Sequence, residues 1–253
     1  MDFDDNILKD LKVAWENTEP HLINLSILIE NKSILEREGD ESRREVAEKF
    51  LNLLKESLPR IKPELVKIQN GVGVFLDYST LLKERFEILF YHFVVDKDDL
   101  GYWMEDEKRM YINVIDMNQY NNILKSKNIA LLFDIYQSTI FHELIHRFDH
   151  MRYSGTHKPV DTDAYMNTYE EFNAYYQQYA RSIDKIVSRM NGIDEFYKVY
   201  GTDASKMINN FWEDMPNEMK AEIKTSKNWT NKWNKRIYQL YYEKLKKFQN
   251  NHG

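Results

Sequence analysis

Cysteine is absent from this chain of 253 residues, and that absence excludes several kinds of site. Disulfide bridges cannot form, and a bound zinc ion could only have histidine and carboxylate ligands. No apolar run approaches the ~20 residues that a membrane-spanning helix needs. The first residues also lack the basic and apolar regions of a signal peptide. We therefore expect a cytoplasmic protein with no membrane partner, with unconventional export as the alternative.

Basic charge is not in excess either. The chain has 35 Lys and Arg against 41 Asp and Glu, a net charge of -6, so nothing favours nucleic acid as a partner. Hydrophobic residues make up 42% and aromatic residues 14%, which indicates a packed interior rather than a disordered chain. The length suits one domain, or a catalytic core with helical additions.

The spacing of apolar residues predicts an α+β fold that is predominantly helical. Only 8 glycines are present, and several lie near the predicted strands, so the sheet is expected to be small. The predicted strands are 71–77, a β-rich run at 86–95 and a hairpin at 101–115. The predicted regions are a helical N-terminal region (1–69), a catalytic core (70–190) and a helical C-terminal region (191–253), within one compact unit.

One predicted helix, from about residue 128 to 152, carries the sequence His142-Glu143-Leu-Ile-His146. Residues four apart lie on one helix face, so both imidazoles can reach one metal ion. Glu143 is turned about 100° from His142, where it can take a proton from the attacking water instead of binding the metal. A chance motif on a helix surface, with an ion pair between Glu143 and Arg147, is the simpler alternative.

A catalytic zinc ion needs three protein ligands, and Glu171 is the predicted third. It lies 25 residues beyond His146 on a predicted helix, and the small Ala174 would let the two helices approach closely. Glu170 is a rival, because the phase of the helix is not fixed by the sequence. His150 and His157 are weaker candidates, since the first shares a helix with the motif and lies about 80° from His142.

These elements resemble those of the gluzincins, the zinc peptidases whose third ligand is a glutamate on a following helix. The residues Glu171-Phe-Asn-Ala174 resemble the E-x-x-A element of that group. The segments are also similar to the active-site segments of anthrax lethal factor-like peptidases and of the ATP-synthase-assembly peptidases. The resemblance covers about residues 100–180 and departs from the thermolysin pattern at Tyr175, where that pattern has aspartate. Metzincins are disfavoured, because Asp149 and Arg152 occupy their later motif positions.

The resemblance implies a zincin-like core: a small antiparallel sheet, the motif helix and the glutamate helix. It implies one Zn2+ per chain held by His142, His146 and Glu171, with Glu143 as general base. The strand at 110–115 would then offer its edge to a protein or peptide substrate. The expected function is a zinc metallopeptidase. The alternatives are a zinc hydrolase of another amide or ester, and a non-catalytic helical interaction protein.

Other polar residues near the motif could assist. Asp149 is a candidate for orienting a ligand imidazole, and equally for a surface acid or a helix cap. A tyrosine could donate a hydrogen bond to a developing oxyanion. The candidates are Tyr165, Tyr169, Tyr175 and Tyr176, each of which could instead be structural. The sequence leaves the oligomeric state open.

Overall fold

The computed structural model describes residues 40–68, 71–92, 100–126, 128–153, 169–215, 220 and 227–251. The chain forms two compact units, Met1–Thr156 and His157–Gly253. Over the described residues it is mostly helical with one small sheet, which confirms the α+β class. The predicted three-region division stays a prediction. Helices predicted before residue 40 lie outside the described residues.

The first unit contains five helices and five strands in its described part. The helices are α1 (Asp40–Ser57), α2 (Ser79–Leu82), α3 (Met117–Ser126), α4 (Ile129–Ile135) and α5 (Gln137–Tyr153). The strands are β1 (Glu64–Ile68), β2 (Gly71–Asp77), β3 (Glu87–Tyr91), β4 (Gly101–Met104) and β5 (Arg109–Asn113). A single 3-10 turn, Leu58–Arg60, follows α1, so that helix ends before Pro59.

The five strands form one sheet in the order β1-β2-β3-β5-β4. The expectation of an antiparallel sheet is wrong for one pair, because β3 and β5 are parallel. The cause is the β4–β5 hairpin, which places β5 rather than β4 beside β3. A second correction follows: β5 has a neighbour on each side, so the strand predicted to offer its edge to substrate is internal, and β4 is the terminal strand at that side.

Two helix predictions also need correction. Strand β1 lies where the sequence predicted helix, and its residues are mostly exposed, with Leu65 at 67%. Pro63 lies directly before β1. Proline biases the residue before it towards extended backbone, which disfavours a helix at this point. The helix predicted from 128 to 152 is divided at Tyr136 into α4 and α5. The hydroxyl of Tyr136 accepts a hydrogen bond from the Ile115 amide (3.1 Å), which ties this junction to the end of β5.

Helix α5 packs against α1 and against strands β4 and β5. Its core side chains are completely or almost completely buried, namely Ile140, Phe141, Leu144, Ile145 and Phe148. Gly101 permits the close packing of β4: a β-carbon there would lie 2.9 Å from the methyl group of Thr139 on α5 and 2.9 Å from the carbonyl oxygen of Tyr111. The motif helix is therefore fixed directly against the sheet.

The second unit is helical in its described part. Its helices are α6 (Tyr169–Val187), α7 (Ile193–Tyr200), α8 (Ser205–Asp214) and α9 (Lys227–Asn251). They share one apolar core with aromatic members from every helix, including Phe172, Phe196, Phe211 and Trp233. Helix α6 carries Glu171, which confirms the helix predicted for that residue. Among the described helices, none combines the length and apolar character that crossing a bilayer requires.

Candidate metal centre

The two motif histidines lie on α5 with their rings converging on one point. Their Nε2 atoms are 3.1 Å apart, and the ring planes are inclined by 70°. His142 is buried, at 8% exposed, and His146 is half-buried. One helical turn separates the two residues, so the placement follows from the i, i+4 spacing seen in the sequence.

The distance between the two nitrogens can be compared with what zinc requires. Two nitrogen ligands at about 2.0–2.1 Å from a tetrahedral ion lie about 3.3–3.4 Å apart. The observed 3.1 Å is close to that separation. The same distance also allows one imidazole N–H to donate a hydrogen bond to the other ring. The distance between the two nitrogens is thus compatible with a hydrogen bond between the rings and with coordination of one metal ion by both.

The third predicted ligand, Glu171, belongs to the same cluster. One ligand atom from each of His142, His146 and Glu171 lies within 4.8 Å of the others, so this group could hold a metal ion. The Glu171 side chain is 5% exposed. Two neutral imidazoles and a carboxylate are suitable ligands for zinc and for several other divalent transition metals. The residue types and their spacing fit a metal ion, although they do not select one metal.

Glu171 is held by the packing of the residues that follow it on α6. The ring of Phe172 stacks on Trp233 at a centroid distance of 5.1 Å. Asn173 is fully buried, and its side-chain oxygen accepts a hydrogen bond from the Arg236 guanidinium (3.2 Å). That guanidinium also lies over the Trp233 ring, 4.5 Å from its centroid. These contacts fix the start of α6 and so restrict where the Glu171 carboxylate can point.

The other acidic residues of the motif helix are buried as well. Glu143 is 3% exposed and Asp149 is 2% exposed. The interpretation of Asp149 as a surface acid is therefore wrong, and buried carboxylates require polar partners. The simple alternative of an exposed motif is also wrong for this helix. The ion pair proposed between Glu143 and Arg147 is replaced by another, because Arg147 pairs with Glu84.

Arg147 follows His146 and is enclosed by aromatic rings. Its guanidinium carbon lies 4.8 to 5.7 Å from four ring centroids, those of Phe50, Phe86, Trp103 and Phe148. Burial lowers the pKa of Arg147, and the charge of Glu84 partly offsets this effect. An arginine keeps its proton under such conditions. This enclosure was not predictable from the sequence, because three of the rings come from distant segments.

Replacing Glu84 by glutamine is expected to lower the free energy of unfolding by about 1–3 kcal/mol. The reason is that Arg147 is only 5% exposed and would lose its one anionic partner among the described residues. Urea unfolding would measure the change. Glu45→Gln is the matched control, since Glu45 forms an exposed pair with Lys49 on α1. Such a pair contributes about 0.3–0.5 kcal/mol, so equal effects of both substitutions would contradict a stabilising buried pair.

The remaining candidates divide into two groups. The side chains of Glu170, His150 and Tyr169, and all of His157 and Tyr165, lie outside the described residues. Tyr176 is 5% exposed, and the Arg236 guanidinium lies 4.1 Å from its ring centroid, so this ring contributes to the packing of the second unit. Tyr175 is half-buried and lines a cavity described below.

The geometry of this cluster stands without support from a known relative. Comparison of the chain with models of protein families, with curated proteins and with solved structures gives no match.

Proposed function

We propose that this protein is a zinc-dependent metallopeptidase with a zincin-like arrangement of motif helix and glutamate helix. The observation that carries the proposal is the cluster of His142, His146 and Glu171, with ligand atoms within 4.8 Å of one another. The cluster brings the two histidines of the motif together with the glutamate that was predicted from the sequence alone as the third ligand. A chance motif gives no reason for a carboxylate 25 residues later to lie beside the two rings.

The residues of this chain would divide the chemistry between them. A zinc ion bound by the three ligands supplies Lewis-acid polarisation and acidifies a water molecule. Glu143, next to His142 on α5, would accept a proton from the attacking water and deliver it to the leaving amine. Its burial restricts its rotamers and excludes bulk water from the carboxylate.

Strand β4 is the element best placed to hold an extended peptide. It is the terminal strand of the described sheet and packs on α5, the helix that carries the motif. A terminal strand presents backbone N–H and C=O groups that an added strand can pair with. An endopeptidase substrate bound in this way would place its backbone along the motif helix. The substrate edge predicted for the strand at 110–115 is thus reassigned to β4.

Metal analysis of the purified protein tests the proposal. After incubation with zinc and removal of the excess, wild type is expected to retain about one zinc ion per chain. His146→Ala is expected to lose most of this zinc, because it removes one of three ligands. His92→Ala is the matched control, since His92 bonds the Val114 carbonyl instead. Elemental analysis by mass spectrometry gives the stoichiometry.

The same preparations would then be incubated with an unstructured protein, and the products would be measured by intact mass. Cleavage is expected from zinc-loaded wild type and not after chelation. Zinc binding without any cleavage would favour hydrolysis of another amide or ester. Absence of stoichiometric zinc in wild type after reconstitution would contradict the proposal and favour a non-catalytic protein.

A further inference from the structure

The second unit contains a cavity of about 260 Å3 formed by helices α6, α7 and α8. This volume is slightly below the ~300 Å3 at which typical small-molecule pockets begin, so the occupant must be small. All lining residues lie between 175 and 215, and none of them is a proposed metal ligand. The residues used below are Tyr175, Tyr179, Tyr200, Phe211 and Asp214.

Four of the twelve residues that line the cavity are aromatic. Tyr175 and Tyr179 come from α6, Tyr200 from α7 and Phe211 from α8. The Tyr179 hydroxyl donates a hydrogen bond to the Met207 carbonyl (2.8 Å), which fixes that ring. Its ring also packs edge-on against Phe211 at 5.3 Å. Fixed aromatic rings offer an apolar surface and faces of negative potential that attract a cation.

The charged group that lines the cavity is an acid. Asp214 is exposed at the end of α8, and the described lining residues include no Lys, Arg or His. Burial raises the pKa of Tyr179, and electrostatic interactions with Tyr200 and Asp214 raise it further. The carboxylate of Asp184 is already paired with the Lys244 ammonium (2.6 Å). Asp214 is therefore the anion available to a ligand in this cavity.

The hydroxyl of Tyr200 is not open to the cavity. Tyr200 is 2% exposed, and its hydroxyl oxygen is buried and makes no hydrogen bond to any described residue. Burial raises the pKa of Tyr200 to about 12, with a smaller contribution from Asp184, so the phenol is neutral. A ligand in the cavity would therefore contact the ring of Tyr200 rather than its hydroxyl.

We propose that this cavity binds a small organic cation with an apolar body, either a free arylalkylamine or the side chain of a lysine in a peptide. The aromatic walls would contact the apolar body and the ammonium group. Asp214 would supply the opposite charge. An anionic ligand is disfavoured, because Asp214 would repel it.

Calorimetric titration of the full chain tests this proposal with matched probes. The first pair is 2-phenylethylamine and its neutral analogue 2-phenylethanol. The second pair is Nα-acetyl-lysine amide and Nα-acetyl-norleucine amide. In at least one pair the amine is expected to bind about tenfold tighter than the neutral analogue. Tighter binding of 2-phenylethylamine would indicate a free amine as the ligand. Tighter binding of Nα-acetyl-lysine amide would indicate a lysine side chain in a peptide. Failure of both amines to bind would overturn the proposal.

One substitution assigns the site. Asp214→Asn is expected to weaken amine binding about three- to tenfold. Glu213→Gln is the matched control, since it removes the same charge from an exposed neighbour that does not line the cavity. Equal losses in Asp214→Asn and Glu213→Gln would reduce the effect to general electrostatics and overturn the assignment.

The titrations would be repeated with His146→Ala, because an amine can also ligate a metal ion. Binding is expected to persist in this variant, since none of the cavity residues belongs to the metal cluster. Loss of amine binding there would place the amine on the metal and overturn the cavity proposal. The result is independent of whether the protein hydrolyses peptides.

Discussion

Glu143→Gln is expected to lower kcat for peptide hydrolysis about 100- to 10,000-fold while zinc content stays near one per chain. Glutamine has nearly the same shape as glutamate, so it can occupy this buried position, 3% exposed in the native protein. It cannot accept the proton that a general base must take. The affected quantity is therefore the rate of the chemical step rather than metal binding.

Single-turnover kinetics with a peptide substrate, together with elemental analysis of the same sample, would measure both quantities. Glu243→Gln provides the control, because Glu243 is an exposed residue on α9 and its loss changes the net charge equally. Retained turnover in Glu143→Gln would contradict the proposed role of Glu143. Joint loss of zinc and turnover would instead show that Glu143 supports the metal site itself.

Glu171→Gln is expected to raise the dissociation constant for zinc more than about 100-fold. Loss of a residue that only supports a ligand costs about 10- to 100-fold in metal affinity, so loss of a charged ligand should cost more. The substitution retains an oxygen in nearly the same place but removes its negative charge. Competition with a chromophoric chelator would give the dissociation constant for each variant.

Glu170→Gln is the natural comparison, because it alters the preceding residue and removes the same charge. Neighbouring residues point about 100° apart on a helix, so one of these two carboxylates can face the imidazoles well. The dissociation constant for zinc is expected to change little in Glu170→Gln and strongly in Glu171→Gln. The reverse order would transfer the ligand role to Glu170. If both variants bound zinc normally, the third ligand would have to come from elsewhere in the chain.

The candidate metal cluster was predictable from the sequence because its geometry is local. The separation of His142 and His146 is fixed by the repeat of one helix, and the structure realises it as a 3.1 Å distance between nitrogens. Glu171 required a further step, since its position depends on how the chain returns after the motif helix. The choice of residue type followed from zinc chemistry and from the absence of cysteine.

The details of the sheet were less predictable. The hairpin of β4 and β5 has a turn between its strands and was correctly placed, whereas the parallel pairing of β3 with β5 depends on long-range packing. Strand β1 was missed because its residues are mostly exposed and lack a clear alternation of buried and exposed positions. Periodicity reports burial, so an exposed terminal strand gives little signal.

Two features of the tertiary structure had no signal in the sequence. The partner of Arg147 was predicted from i, i+4 spacing on one helix, but its actual partner Glu84 is 63 residues away. Likewise, Tyr200 is one of 17 tyrosines, and its hydroxyl is distinguished only by the packing of three helices around it. Helical spacing cannot reveal contacts that form between separate elements.

The enclosure of Arg147 has a consequence for the candidate metal centre. Position 147 is turned about 100° from position 146, so its guanidinium projects to a different side of α5 from the imidazoles. If α5 rolled about its long axis, both imidazoles would swing and the guanidinium would leave its rings and Glu84. Interior aromatic residues as distant as Phe50 and Phe86 therefore restrain the orientation of both imidazoles about the helix axis. How readily the centre accepts ions of other coordination geometries thus becomes a property of the protein's interior as well as of its ligands.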